Sequence, residues 1–268
     1  VAVDRVTKQN IIKEEIRQLA DRLCSNDDET IDFENRLFDM YSKAEKSEFL
    51  LIHNPGGWGS TRIENLLQWE RSIIIGVDST VKKMGYTVEL LQYFRSKTGT
   101  KAIIDDCREQ TKFFSFKSTL MAEELRFITR HVKNIRMVMI GVSQGAAFSN
   151  AVLQKLNGED RIYSIEIGTP FFYKSKRIVT ERTLTLSSNG LMPDALMEWN
   201  VPVILKTYFG APVRWLKYRV QGKPEKFTYC INVPGHDYNW DYPEVQRVIS
   251  EFLREKFGQK RDVEVAVQ

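Results

Sequence analysis

One stretch, Arg136 to Leu156 (R-M-V-M-I-G-V-S-Q-G-A-A-F-S-N-A-V-L-Q-K-L), constrains what this chain can fold into more than any other. Met137 to Ile140 is an apolar run of strand length. From Ala146 onward, Phe148, Val152 and Leu156 recur at i, i+4 and i+8, the spacing of a buried helix face. Between the two lies Gly141-Val142-Ser143-Gln144-Gly145, a G-x-S-x-G, and strand, tight turn and helix is the setting that gives this pattern chemical meaning. A serine there sits on a strained backbone with its hydroxyl raised above the sheet edge. A Cβ in place of either glycine would collide with the neighbouring strand and helix. The backbone N–H of Gln144 opens the helix, where unpaired donors and the positive dipole end favour a developing negative charge. Outside that setting, the same five residues read as a βα turn with a chance serine.

Two more stretches bear on the same chemistry. The apolar run Phe49-Leu50-Leu51-Ile52 reads as a buried parallel strand and feeds His53-Asn54-Pro55-Gly56-Gly57-Trp58-Gly59. Late in the chain, Pro234-Gly235-His236-Asp237-Tyr238 follows an expected last strand, Phe227 to Val233. With these three features, the region from about Glu48 to Phe257 resembles the α/β-hydrolase fold superfamily, and no narrower family. The resemblance implies an α/β fold with a mostly parallel central sheet flanked by helices. It also implies a nucleophile at Ser143, a base late in the chain, and a second oxyanion donor from the loop after the first strand. That loop opens with His-Gly in the superfamily, whereas here Asn54 stands in the glycine's place. Pro55 has no N–H, so the donor would be Gly56 or Gly57. His53 is read as bracing its loop, because the base of this fold comes late. A glycine-rich turn with no ligand is the plain alternative for the whole loop.

Serine is a poor nucleophile until an oriented base takes its proton. Histidine suits that task, with a pKa near neutrality, and the chain has only three. His131 falls in the last turn of an expected helix and is read as structural. His236 follows Ser143 in the chain, as the order Ser…acid…His requires; bracing Asp237 or Tyr238 is its competing role. The acid should lie between them, at the C-terminal end of a strand. Asp194, in the turn-rich loop Ser188 to Asp194, fits best, although it could equally be a helix N-cap before Ala195. Asn189 in the same loop and Glu166 one strand earlier stay open as alternatives. Asp237 is too close to His236 in sequence for the required hydrogen bond.

The rest of the chain supplies the frame. Asn10 to Cys24 and Thr30 to Lys46 read as amphipathic helices, forming an N-terminal helical extension over residues 1–47. Such helices could pack on the sheet, form part of a cap, or contact another chain. Residues 48–258 form the hydrolase-like domain. Within it, Glu64 to Met84 is mostly helical in pattern, and Tyr86 to Phe94 is a strand. Ser96 to Phe116 is a polar loop, and Ser118 caps the helix that ends near Val132. Strands follow at Ile162 to Ile167 and Thr183 to Ser187, and a helix opens at Asp241-Tyr242-Pro243. Residues 195–223 form an apolar insertion that reads as a lid, an acyl-pocket wall, or a helix covering the sheet. The tail, 259–268, is polar.

Composition narrows the partners. The net charge is +4, with basic and acidic residues interleaved. No basic stripe carries interleaved aromatics, which argues against nucleic acid. Mild basicity is compatible with weak attraction to an anionic membrane surface. Three scattered cysteines imply neither a disulfide framework nor a metal site and suit a reducing compartment, cytoplasmic or at a membrane face. The chain begins with valine, which leaves an upstream anchor or leader open. No cofactor and no metal is expected. The expected activity is hydrolysis of an ester or related acyl bond of a hydrophobic small molecule. Acyl transfer or thioester cleavage on the same machinery, or a non-catalytic hydrolase-fold binding protein, are the alternatives.

Overall fold

The computed structural model describes residues 2–97, 99–222 and 230–260. Its short apolar runs build β1 (Phe49–Asn54), β2 (Val88–Gln92), β3 (Arg136–Val142), β4 (Ile162–Ile167) and β5 (Thr183–Leu186). Every pairing is parallel, in the order β2-β1-β3-β4-β5. A parallel sheet must have both faces covered, and alternate residues of each strand supply one face each. Leu50, Ile52, Met137 and Met139 enter one core, while Phe49, Leu51, Val138, Ile140 and Val142 enter the other. The second core is closed by α3 (Gln68–Lys83) and α8 (Pro243–Phe257), through Ile73, Val77, Val81, Val245, Ile249 and Leu253. This is the fold class expected from the sequence, a parallel sheet flanked by helices.

The first core shows what the N-terminal helices do. It contains α5 (Ser115–His131) and α6 (Gln144–Lys155), together with α1 (Ala2–Leu23) and α2 (Asp27–Ala44). From α2 come Phe33, Leu37, Met40, Tyr41 and Ala44, and from α1 come Ile12, Ile16, Leu19 and Ala20. Asn26 caps α2, its side chain accepting the Glu29 N–H. An ion pair ties α2 to α5: Arg36 lies 2.6 Å from the fully buried Glu124. Of the three roles left open for these helices, the described residues show packing on the sheet.

Several expectations need correction. The region 96–116, expected as a loop, contains α4 (Thr100–Thr111). Among its described residues this helix buries Asp106, which accepts from Lys117 Nζ at 2.8 Å, so no apolar period announced it. Ser118 does not cap α5. The helix starts at Ser115 after Phe114, whose φ is 55°, and Ser118 is buried inside the first turn. The expected helix over 64–84 is a 3-10 turn at Ile63–Asn65, then α3. The expected last strand, 227–233, lies partly outside the described residues, and its described part, 230–233, is not strand. Of the polar tail, 261–268 also lie outside them. Finally, the insertion forms α7 (Val201–Val220), which buries Thr207 and Ala211 and leaves Leu205, Tyr208, Phe209, Val213, Leu216 and Val220 exposed. It does not cover the sheet as an ordinary packing helix would.

Candidate active site

Strand order decides where the site lies. The chain runs from β1 outward to β2, then returns past β1 to β3, so the connections after β1 and β3 diverge at the C-terminal edge. Such a switch point opens a crevice in parallel sheets. The loop from His53 to Gly59 follows β1, and the Ser143 turn follows β3.

Ser143 has φ 52° and ψ −119°, a left-handed backbone on a residue with a Cβ. Strain of this kind costs on the order of 1–3 kcal/mol and persists only where the surroundings enforce it. Here the enforcement is visible. A Cβ on Gly141 would come 2.5 Å from the Gly145 carbonyl oxygen, and one on Gly145 would come 2.0 Å from the Asn54 carbonyl oxygen. The Ser143 N–H donates to Ile167 O at 2.8 Å, anchoring the turn to β4. Its Oγ donates to Gln144 Oε1 at 2.9 Å.

The loop after β1 packs directly against this turn. The Cβ position of Gly56 is 3.2 Å from Val142 O and 3.7 Å from Ser143 Cβ. The Gly56 N–H makes a long hydrogen bond to Glu70 Oε1, at 3.4 Å. Among the described residues, the N–H groups of Gln144 and Gly57 have no hydrogen-bond partner. Asn54 donates from Nδ2 to Ser149 Oγ at 2.7 Å and pins the loop to α6. His53 braces the loop, as read from the sequence. Gln92 accepts the Ile63 N–H through Oε1, so its amide nitrogen faces His53 Nδ1 at 3.1 Å. That leaves Nε2–H to donate to Glu70 Oε1, also at 3.1 Å.

Arg95 holds the loop from beneath. Its guanidinium donates to Pro55 O at 2.6 Å and to Gly57 O at 2.7 Å, and lies over the rings of Phe114 and Phe148. Burial pushes this guanidinium down to about 10, against the opposing pull of Asp106. It therefore stays charged at neutral pH. Two carbonyls drawn toward Arg95 turn the N–H groups of the same peptide planes the other way.

On the other side of the Ser143 turn, His236 Nδ1 is 2.7 Å from Asp194 Oδ2. Asp194 is fully buried. Its other oxygen, Oδ1, accepts the Leu196 N–H at 2.8 Å. The N-cap role weighed for this residue falls instead to Asn200, whose side chain accepts the Val203 N–H at the start of α7, while residues 195–199 form turns. Tyr238 adds a third hydrogen bond to Asp194, its hydroxyl donating to Oδ2 at 2.7 Å. Burial first, and then the charge of Asp194, hold the Tyr238 phenol well above the usual tyrosine range. The alternative acids are engaged elsewhere. Asn189 donates its amide to Asp237 O and Oδ1, both at 3.0 Å. Glu166 is buried against Arg177, Asn150 and Ser164. Asp237 accepts from the Tyr242 hydroxyl at 2.7 Å.

The two halves meet over the end of β4. Ile167 O holds the Ser143 N–H, and the next residue, Gly168, lies under the imidazole. A Cβ there would be 2.7 Å from His236 Cε1. Among the described residues no hydrogen bond joins Ser143 Oγ to His236. His131 lies apart from this site, 3.0 Å from Glu15.

The sequence reading missed Arg95, Glu70 and Tyr238. Tyr238 had a signal, since it lies two residues beyond His236. Arg95 had none, because its partners lie about forty residues earlier and are carbonyl groups that any residue carries. Among the described residues, no group of three or more His, Cys, Asp or Glu side chains is arranged to hold a metal ion. Cys24, Cys107 and Cys230 are unbridged.

No family model matches the chain, and no curated protein matches its sequence. Solved structures do match. One is a Trichoderma reesei cutinase in complex with a C11Y4 phosphonate inhibitor, 12% identical, with 90% of this chain and 98% of that one covered and a TM-score of 0.48. Another is a cutinase-like protein from Cryptococcus sp., also 12% identical, covering 80% of this chain and 96% of that one, with a TM-score of 0.40.

Proposed function

We propose that the chain is a serine hydrolase that cleaves an ester, or a related acyl bond, of a hydrophobic substrate. The observation that carries this reading is the buried Asp194 set 2.7 Å from His236 Nδ1, across β4 from a serine held in a strained strand-to-helix turn. Asp194 keeps the proton on Nδ1, which leaves the Nε2 lone pair to act as base. For the chemistry to start, Ser143 Oγ turns away from Gln144 Oε1 toward Nε2. It then attacks the carbonyl carbon while its proton passes to His236. The N–H groups of Gln144 and Gly57 receive the oxyanion. Gly57 is favoured over Gly56, whose N–H leans on Glu70. Collapse of the tetrahedral intermediate expels the alcohol, which takes the proton from His236. Water, activated by the same imidazole, then releases the acid from the acyl-enzyme. An alcohol or amine in place of that water would make the reaction an acyl transfer.

The hydrogen bond between Ser143 and Gln144 favours one competing reading, a catalytically silent binding protein. Turnover decides between them. The assay is p-nitrophenyl ester hydrolysis from acetate to palmitate, with Ser143→Ala, His236→Ala and Asp194→Asn beside the wild type. Each substitution is expected to lower kcat by about 10⁴ or more. A fluorophosphonate should label the wild type and not Ser143→Ala. A wild type no faster than Ser143→Ala on any ester, thioester or amide, and unlabelled, leaves the binding reading.

A further inference from the structure

The outward face of α7 is built for a surface that the described chain does not supply. Leu205, Phe209, Val213, Leu216 and Val220 recur at i, i+4, i+8, i+11 and i+15, one stripe of a helix. A stripe of that kind normally faces the core. Here Phe209 is 78% exposed, Val213 70% and Val220 82%, while the buried residues, Thr207 and Ala211, lie on the opposite side. The helix carries four charged residues, Lys206, Arg214, Lys217 and Arg219, and all are basic. Arg214 is turned inward, to Thr207 O and Cys230 O. Lys206, Lys217 and Arg219 are exposed with the stripe.

The position of α7 matters as much as its composition. It leaves the sheet edge just after Asp194, and the chain returns from it to His236. Its root is tied there, with the Ala195 N–H donating to Pro234 O and the Asn200 N–H to Ala195 O. Trp199, at that root, lies 3.7 Å from the Phe171 ring. Trp199, Phe172, Leu191 and Met192 are all exposed at this end of the molecule.

We propose that α7 lies in the interface of an anionic lipid bilayer, with its apolar stripe among the upper acyl chains and its basic residues at the headgroups. A helix with one apolar face and an exclusively basic charge complement binds in this way. Charge also argues against the stripe being a self-association face. A two-fold contact would bring Lys206, Lys217 and Arg219 of both copies together. Docking of this kind turns the crevice edge toward the membrane. Supply of substrate from the bilayer rests on the hydrolase reading; docking itself does not.

The test is flotation of the full chain with vesicles of phosphatidylcholine alone, and with about 30% phosphatidylglycerol. It uses Ser143→Ala protein, so that binding is read without turnover. Binding to the anionic vesicles is expected to be about tenfold or more above neutral ones and to weaken with salt. Phe209→Glu with Val213→Glu should lower it about tenfold or more, and Lys206→Glu with Lys217→Glu should remove the preference for anionic lipid. In the Ser143-intact background, the Phe209/Val213 variant should keep wild-type turnover of p-nitrophenyl acetate, which also shows that it folds. A chain without any ester turnover that still floats retires the hydrolase reading and leaves docking standing. No flotation with anionic vesicles, or flotation indifferent to both pairs of substitutions, overturns the proposal. So does a lipid-free dimer that the Phe209/Val213 variant dissociates, because the stripe would then be a self-association face.

Discussion

Helices α2 and α7 have similar lengths, 18 and 20 residues, yet they end in opposite environments. The α2 helix puts every large side chain of its apolar stripe into the core and adds a buried ion pair. The α7 helix is richer in apolar residues and buries almost none of them. Hydrophobicity alone does not decide burial. One face of the sheet is covered by α2, α5 and α6 and the other by α3 and α8, and α7 leaves from the strand ends, where neither face is open to it. Apolar area is worth roughly 25 cal/mol per Å² only when something removes it from water. For α2 that something is the sheet.

This contrast can be broken at its strongest point first. Arg36→Ala leaves the Glu124 carboxylate buried without its cation, and should cost about 3–5 kcal/mol in urea unfolding. Leu37→Ala opens a cavity beneath α2 and should cost about 2–5 kcal/mol. If both variants unfold within about 1 kcal/mol of wild type, α2 is not part of the core.

Between the extremes lies the root of α7, where Tyr238 holds Asp194. Replacement by Phe removes a hydrogen bond to a buried carboxylate and should cost about 1.5–3 kcal/mol. Its pH signature is more specific. The folded state keeps the phenol protonated well above the ordinary value of 10.0, where the unfolded chain has released that proton. Stability should therefore fall as pH rises past about 10, by roughly 1.4 kcal/mol per pH unit for each such tyrosine. Tyr93 and Tyr173 are raised as well, burial being the first cause. Tyr238→Phe should make that decline shallower without abolishing it. An unchanged alkaline slope would remove Tyr238 from this role. The smallest effect belongs to α7: Phe209→Ser and Val213→Ser should each stay within about 0.5 kcal/mol of wild type. A loss of 2 kcal/mol there would mean that the stripe is buried in solution.

Much of the candidate site was legible because the proposed chemistry demands particular residues at particular turns. Gly141, Ser143 and Gly145 stand where a strained turn leaves no room for other side chains. With three histidines in the chain, His236 stood out by its position after Ser143. Asp194 was legible only as the best of several acids. What separated it from Asn189 and Glu166 was which neighbour each side chain reaches, and that depends on how loops distant in sequence fold together. The α4 helix escaped notice because a buried aspartate, rather than an apolar stripe, ties it down. Ser118 looked like a cap because serine favours that position, but Phe114 took the left-handed entry to α5 and moved the helix start four residues back.

The sequence by itself determined the alternation that makes a two-faced parallel sheet, the serine turn between β3 and α6, and the amphipathic stripes of α2, α3, α5 and α8. These are local properties: side-chain period, glycine sterics and the short range of helix and strand geometry set them. The tertiary structure decided the rest. It set α1 and α2 on the sheet, slid Arg95 beneath the carbonyls of Pro55 and Gly57, brought Asp194 and Tyr238 to His236, and left the α7 stripe facing outward. Each of these depends on which surfaces are already covered when distant segments meet, and a one-dimensional pattern carries no record of that.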